Sequence, residues 1–241
     1  MRPNTGQAPH QWRSRGSGIA WVISMAAFVA AGTGLAYATA GEVMRLTRLT
    51  TPTPAEVTGD VIVRNAKDEQ GRSASFRILL FSDEFRWRLA SFESLESARP
   101  EPEFTADMKG VLNAAAEIIC IGASSEEMPA GLPAAQGRRL EEKRAARRAE
   151  QIALWVRKAL SSPVPVRKLN VGHHVPTRNA RDTSDQRRVV IVLVLQQEQG
   201  ANIDQALRDA MTRESARSPI FETLLTRYSL AADGKPFTWV E

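Results

Sequence analysis

The sequence predicts an α/β protein, with a mixed β-sheet covered by helices and one transmembrane helix in front of it. Three stretches carry this prediction: an uncharged apolar segment at residues 18–40, an amphipathic helix at residues 140–160 and an apolar run at residues 189–195. The apolar run (VVIVLVL) is mostly β-branched, which is typical of a central strand with both faces covered. The apolar stripe of the helix requires a surface to cover it, so we expect the helix to pack on the sheet.

Residues 18–40 contain no charged side chain. A helix of this length spans roughly 34 Å, enough for the hydrocarbon layer of a bilayer. Arg2, Arg13 and Arg15 precede the segment, and the positive-inside rule therefore predicts a cytoplasmic N-terminus. We expect residues 1–17 to form a cytoplasmic tail, residues 18–40 to span the membrane lipid bilayer as a signal anchor, and the rest of the chain to be exported.

Two further interpretations of residues 18–40 remain open. Residues 38–40 (ATA) before Gly41 resemble a signal-peptidase site, although the apolar stretch exceeds the usual core of a cleaved signal peptide, which favours an uncleaved anchor. Small residues at positions 27, 31 and 34 would let two such helices approach closely, which makes a homodimer one candidate assembly.

The segments that follow predict a spacer and the start of a sheet. Residues 41–58 include the sequence TPTP, which is typical of an extended linker. Residues 60–65 and 75–81 flank a polar, glycine-containing connection and predict a β-hairpin. Residues 85–89 alternate in polarity and predict a half-buried strand. Thr105 is a candidate N-cap for a short helix that ends at Ala116, and a strand is predicted at residues 118–121.

Charge and composition exclude some classes of function. The formal net charge is +5 and hydrophobic residues make up 43% of the chain, which is typical of a globular protein with a core. Residues 138–158 hold eight Lys or Arg against three Glu. Such a stretch is typical of a surface that binds nucleic acid, an anionic envelope polymer or a membrane. It is also typical of a helix face that is simply solvated. Aromatic residues are not interleaved with the basic ones, and export would remove the substrate, so we expect no nucleic-acid partner.

The sequence also argues against catalysis and cofactors. His173 and His174 are adjacent, so at a strand end their side chains point to opposite sides, and His10 is predicted to lie across the membrane. Cys120 is the single cysteine and lies in an apolar run, which indicates a buried thiol. No phosphate loop, dinucleotide fingerprint or nucleophile elbow is found. We therefore predict no enzyme, no metal and no cofactor.

Four short motifs occur in an order that resembles a known family. Residues 144–152 resemble the helix signature L-S-x-x-R-A-x-x-V, residues 172–174 resemble a G-Y-G-like turn, and residues 186–189 are similar to N-R-R-V. Upstream, residues 118–125 resemble a strand that ends in G-H-T-D. Together they resemble the C-terminal half of an OmpA-like domain, the peptidoglycan-binding module of bacterial envelope proteins, over residues 104–196.

The resemblance implies an OmpA-like two-layer sandwich. It would occupy residues 59–199 in the periplasm, on a single-pass inner-membrane anchor. The resemblance does not extend to residues 200–241, where the spacing of apolar residues predicts a C-terminal helical extension that packs back on the domain. The implied partner is peptidoglycan. MotB-type stators share this arrangement, but an intramembrane carboxylate carries their ion, and residues 18–40 contain none.

The resemblance also implies a ligand site for the diaminopimelate of peptidoglycan stems. In that family an Asp binds the ammonium and an Arg binds the carboxylate, because a guanidinium meets a carboxylate with two charge-assisted bonds. Arg148 matches the family's Arg, with Arg144 one turn earlier, and Arg188 comes from the last-strand motif. Ser125 stands at the Asp position, and Glu126 follows it as a candidate replacement.

An alternative function keeps the fold and changes the partner. Without the Asp, the domain would be a degenerate OmpA-like scaffold that binds another envelope protein through the basic helix, the preceding loop and the C-terminal extension. Glu126 distinguishes the two hypotheses. A carboxylate that meets Arg148 across a pocket favours the ligand site, whereas one that points elsewhere favours the scaffold.

Overall fold

The structure is a computed structural model that describes residues 57–81, 85–96, 101–127, 130–176, 183–215, 219–231 and 236–241. The predicted cytoplasmic tail, the predicted transmembrane helix and residues 41–56 of the predicted linker lie outside these ranges. In the part of the chain that the structure describes, no helix is long and apolar enough to cross a membrane.

Six strands form one mixed sheet in the order β1-β2-β5-β3-β4-β6. Strands β3 and β4 are parallel, and every other neighbouring pair is antiparallel. The strands are β1 (Val57–Lys67), β2 (Ser73–Phe81), β3 (Glu117–Ser124), β4 (Val166–His173), β5 (Val190–Gln197) and β6 (Thr238–Trp239). The predicted hairpin is confirmed as β1 and β2, and the apolar run is confirmed as β5, between β2 and β3.

Helices cover both faces of this sheet. They are α1 (Ala106–Asn113), α2 (Ala134–Ala159), α3 (Ile203–Ser215) and α4 (Pro219–Thr226). Ile191 and Leu193 of β5 pack with α1 and α2, whereas Val192 and Val194 pack with α3 and α4. The predicted mixed sheet covered by helices is confirmed. The C-terminal extension adds a third layer, because the sheet offers an apolar face on each side and α3 and α4 each carry an apolar stripe.

The C-terminal extension also covers an edge of the sheet. After α4, the amides of Ser229 and Leu230 donate to the carbonyls of His173 and Val171 at 2.9 and 3.1 Å. Further on, β6 pairs with β4. An unpaired edge strand is a template for unwanted pairing, so this cover protects β4 from association with other chains.

Helix α2 begins earlier than predicted and packs closely on the sheet. Its first residue is Ala134, six residues before the predicted start at residue 140, because Pro133 precedes a run of good helix formers. The predicted stripe comprises Ala145, Ala149, Ile152, Val156 and Leu160. Its first four residues are fully buried, and Leu160, directly after the helix, is partly buried. Gly122 permits the close approach. A Cβ there would lie 2.6 Å from the amide nitrogen of Ala149 and closer still to the carbonyl oxygen of Ala145.

Two local predictions have different outcomes. The Thr105 N-cap is confirmed, because its Oγ1 accepts from the amide of Met108 at 3.3 Å. The strand predicted at residues 85–89 is wrong. Phe85 and Trp87 are buried as the alternation requires, but the segment makes only an isolated bridge between Trp87 and Leu95, because it turns back on itself.

Candidate functional site

A cavity of about 500 Å³ lies at one end of the sheet, where β3 and β4 finish and β5 begins. Such an edge, outside the carboxyl ends of parallel strands, is a common place for ligands in α/β proteins. Its walls come from three strands (β2, β3 and β5), the residue that follows β4, the short 3-10 helix Ser184–Arg187 with its flanking residue, and α4 with the segment that follows it. The lining residues are Leu80, Ala123, His174, Asp185, Gln186, Arg188, Val190, Thr223, Leu224 and Tyr228.

Two guanidinium groups meet one carboxylate at this cavity. Arg188 Nη2 donates to Asp185 Oδ1 at 2.8 Å, and Arg86 Nη2 reaches the same oxygen at 3.0 Å. The Asp185 side chain is 74% exposed. Exposed ion pairs contribute little to stability, so a ligand carboxylate is able to compete for this position. The geometry is therefore suited to binding a carboxylate.

Two uncharged rings, those of His174 and Tyr228, line the cavity beside these charges. The His174 ring meets the Tyr228 ring edge-on at 5.3 Å between centroids, and the Tyr228 hydroxyl donates to the carbonyl of Gln186 at 3.0 Å. Burial lowers the pKa of His174 and raises the pKa of Tyr228. Both rings are therefore uncharged at neutral pH, and the arginines supply the positive charge of the site.

Arg148, which the resemblance assigned to the ligand, lies in the interior and is 1% exposed. Its Nη1 donates to the carbonyl of Ala123 at 2.7 Å, and its Nε donates to the carbonyl of Ser91 at 2.9 Å. The guanidinium also lies 5.6 Å from the centre of the Trp87 ring. Burial lowers the pKa of Arg148 to about 9, which leaves it charged at neutral pH. The side chain thus ties the residue 88–91 loop and β3 to α2.

Arg144 also has a partner within the chain. It pairs with the buried carboxylate of Glu141, which in addition accepts from the hydroxyl of Ser124. Sequence reasoning missed Glu141, although its position one turn before Arg144 places the two side chains on the same side of the helix.

Glu126 and Ser125 lie at the end of β3. Ser125 is buried. The amide of Glu126 donates to Oε1 of Gln186 at 2.9 Å, and Glu126 Oε2 lies 3.6 Å from His174 Nδ1. Both of these neighbours line the cavity, so the structure brings Glu126 and Arg188 to its rim, whereas Arg144 and Arg148 contact the interior around α2.

The remaining cavity residues were not predicted as a site. His174 was interpreted as part of a turn, and no sequence signal linked Asp185 or Tyr228 to it. Tyr228 belongs to the C-terminal extension, beyond the stretch that resembles the family. Within the described ranges, no group of three or more His, Cys, Asp or Glu is arranged to hold a metal ion.

Comparison with known proteins finds similarity only among solved structures. No known family matches the sequence, and no curated protein matches it. The chain is similar to the OmpA-like domain of FopA1 from Francisella tularensis subsp. tularensis SCHU S4, with 10% identity and a TM-score of 0.32, over 60% of this chain and 84% of that one. It is also similar to the periplasmic domain of MotB, with 11% identity and a TM-score of 0.31, over 74% and 93% of the respective chains.

Proposed function

We propose that this chain is a non-enzymatic anchor of the bacterial envelope, with an OmpA-like domain in the periplasm behind an inner-membrane helix at residues 18–40. The proposal is supported by the four motifs and by the elements on which they fall. Three motifs lie on β3, on α2 and at the end of β4, and the fourth lies directly before β5. The uncharged segment and the arginines before it support the membrane anchor and its orientation.

The ligand that we propose is the diaminopimelate-containing stem of peptidoglycan. The main observation behind this proposal is that Arg188 and Arg86 both donate to the exposed carboxylate of Asp185 beside the cavity. In this arrangement Arg188 takes the role that the resemblance gave to Arg148, and a stem carboxylate replaces Asp185. Glu126, at the rim beside His174, is the proposed partner for the stem ammonium.

Co-sedimentation of the full chain, kept in mild detergent, with purified diaminopimelate-type sacculi tests this proposal. Arg188→Gln removes the charge-assisted bonds and is expected to reduce retention about tenfold. Arg147→Gln is the matched control, because Arg147 is an exposed cation on the outer side of α2, paired with Glu150. Retention of both variants at the wild-type level, or no retention of the folded wild type, would contradict the proposal.

A second candidate is the scaffold that binds an envelope protein. Two observations favour it: Arg148 and Arg144 are engaged inside the chain, and the Glu126 carboxylate lies next to His174. A photo-crosslinker at Thr223, on the cavity wall, distinguishes the two candidates in cells. A defined protein adduct in a strain whose protein does not sediment with sacculi would support the scaffold.

A further inference from the structure

We propose that the amino-terminal end of α2 docks the domain onto an anionic phospholipid surface. The surface consists of the exposed cations Arg138, Arg139 and Lys143 and the exposed leucines Leu132 and Leu140, and we term it the basic end of α2. This inference rests on the proposed membrane anchor and is independent of what occupies the cavity.

The charges of the basic end are unfavourable for the isolated domain. The first turn of α2 contains no acidic residue, and its N-cap makes no side-chain hydrogen bond. Arg138 and Arg139 follow this turn directly, and no acidic residue of α2 precedes them. Arg139, Lys143 and Arg147 also follow one another at intervals of four, which places like charges side by side. An external anionic partner would balance these like charges.

At the opposite end of α2, the cations have partners within the chain. Lys158 forms an ion pair with Glu101, and Arg157 donates to the carbonyl of Val166 at 3.2 Å, where the helix dipole also favours positive charge. Among the described residues, no ion pair engages Arg138, Arg139 or Lys143. The two ends of one helix therefore differ in how their charge is balanced.

Exposed leucines distinguish a lipid surface from a purely ionic partner. Leu132 is 43% exposed and Leu140 is 40% exposed, immediately before and within the basic end. Leucine next to lysine and arginine is typical of segments that lie in a membrane interface, where the apolar groups enter the headgroup boundary and the cations meet lipid phosphates.

The topology places this surface at the end of the sheet where β1 begins. In the sheet register, Val57 at the start of β1 pairs with Phe81, Leu80 pairs with Val190, and Val190 pairs with Ile121. The start of β1 and the carboxyl end of β3 therefore share one end of the sheet, and α2 starts from that end.

Chain length sets how far this end can move from the bilayer. Residues 41–56 connect the proposed membrane helix to β1, and a chain of that length spans at most about 55 Å. The linker therefore limits the distance between the start of β1 and the proposed membrane helix to about 55 Å.

The test uses the full chain in lipid discs made of phosphatidylcholine alone or of an equal mixture with phosphatidylglycerol. An environment-sensitive dye is attached at Gln136→Cys, in the first turn of α2, because the native Cys120 is buried. We expect a blue shift of the dye in anionic discs only, reversed at high salt because exposed charges are screened. Arg139→Gln with Lys143→Gln is expected to abolish the shift, whereas Arg157→Gln with Lys158→Gln removes the same charge from the other end and keeps it.

Each result decides the proposal. A shift in anionic discs that only the first pair of substitutions removes would support it. No shift in anionic discs, or an equal loss in both pairs, would overturn it. Co-elution of the protein with neutral discs reports the membrane anchor separately, so failure of the anchor is distinguishable from failure of docking.

Discussion

The interior behind β3 and the cavity beside it each contain an arginine that the sequence marked for ligand binding, and the two arginines have different partners. Arg148 is buried and donates to main-chain carbonyls of β3 and of the residue 88–91 loop. Arg188 lies at the cavity and holds the exposed carboxylate of Asp185. The first set of partners is fixed by the backbone, whereas the second is a side chain in contact with water.

This difference indicates what each guanidinium can do. A buried charge that loses its partners is strongly destabilising, so Arg148 is committed to the fold. An exposed ion pair has a small net free energy and exchanges partners readily, so Arg188 is suited to recognition. A motif that identifies an arginine therefore does not by itself identify a ligand contact.

The largest expected effect is on the interior arginine. Arg148→Met leaves the carbonyls of Ala123 and Ser91 without their donor and should lower the free energy of unfolding by about 3–5 kcal/mol. Arg147→Met, next to it on the exposed side of α2, should change this quantity by less than about 0.5 kcal/mol. Urea denaturation followed by tryptophan fluorescence measures both. Equal effects would show that Arg148 is not part of the core.

The close packing of α2 on β3 gives the next effect. Gly122→Ala forces a methyl group into the backbone of α2 and should destabilise the domain by about 3 kcal/mol. Gly110→Ala is the control, because that glycine lies inside α1 with open space around it and should gain about 0.5–1 kcal/mol. Thermal unfolding of the two variants should shift in opposite directions, and a shared direction would contradict the packing.

The histidines give a pH dependence on the cavity side. Burial lowers the pKa of both His173 and His174 below the usual 6.5. Between 6.5 and the lowered values the unfolded chain binds more protons, so the free energy of unfolding should fall as the pH falls through this window. His173→Gln with His174→Gln should flatten the profile measured by urea denaturation. A free energy of unfolding that rises on acidification would contradict this prediction.

The smallest effect on stability should come from the cavity arginine. Arg188→Gln removes an ion pair whose acidic partner is mostly exposed, so the free energy of unfolding should change by less than about 1 kcal/mol. The same urea titration measures it. A loss as large as that of Arg148→Met would place Arg188 in the core instead of the recognition site.

The spacing of apolar residues along the sequence correctly predicted the helix and the strand that bury a regular apolar stripe. The spacing of apolar residues in α2, the β-branched run of β5 and the Thr105 cap are properties of neighbouring residues, and each element formed where it was predicted, within a few positions. The helices of the extension were predicted too, but not the face they cover. That face depends on the whole sheet and on which side α1 and α2 leave open.

The site was less predictable, for physical reasons. Whether Arg148 meets a ligand depends on the loop that carries Ser91, which lies far away in sequence and folds over the guanidinium. The cavity combines β2, the 3-10 helix and α4, and it exists only once the C-terminal extension has packed. Residues 85–89 show the same limit, since their alternation predicted the burial of Phe85 and Trp87 but neither the exposure of Leu89 nor the absence of a strand.

The most direct test of the central claim follows the arginine side chains themselves. The Nε–Hε signals of the 15N-labelled full chain in detergent micelles would be recorded while a diaminopimelate-containing muropeptide is added. Arg188→Lys assigns one signal by its disappearance. The account predicts that the Arg188 signal shifts with ligand, while the Arg148 signal stays in place and its proton exchanges slowly. A shift of Arg148 with Arg188 unchanged would contradict it and return the ligand to the site that the sequence motif indicated.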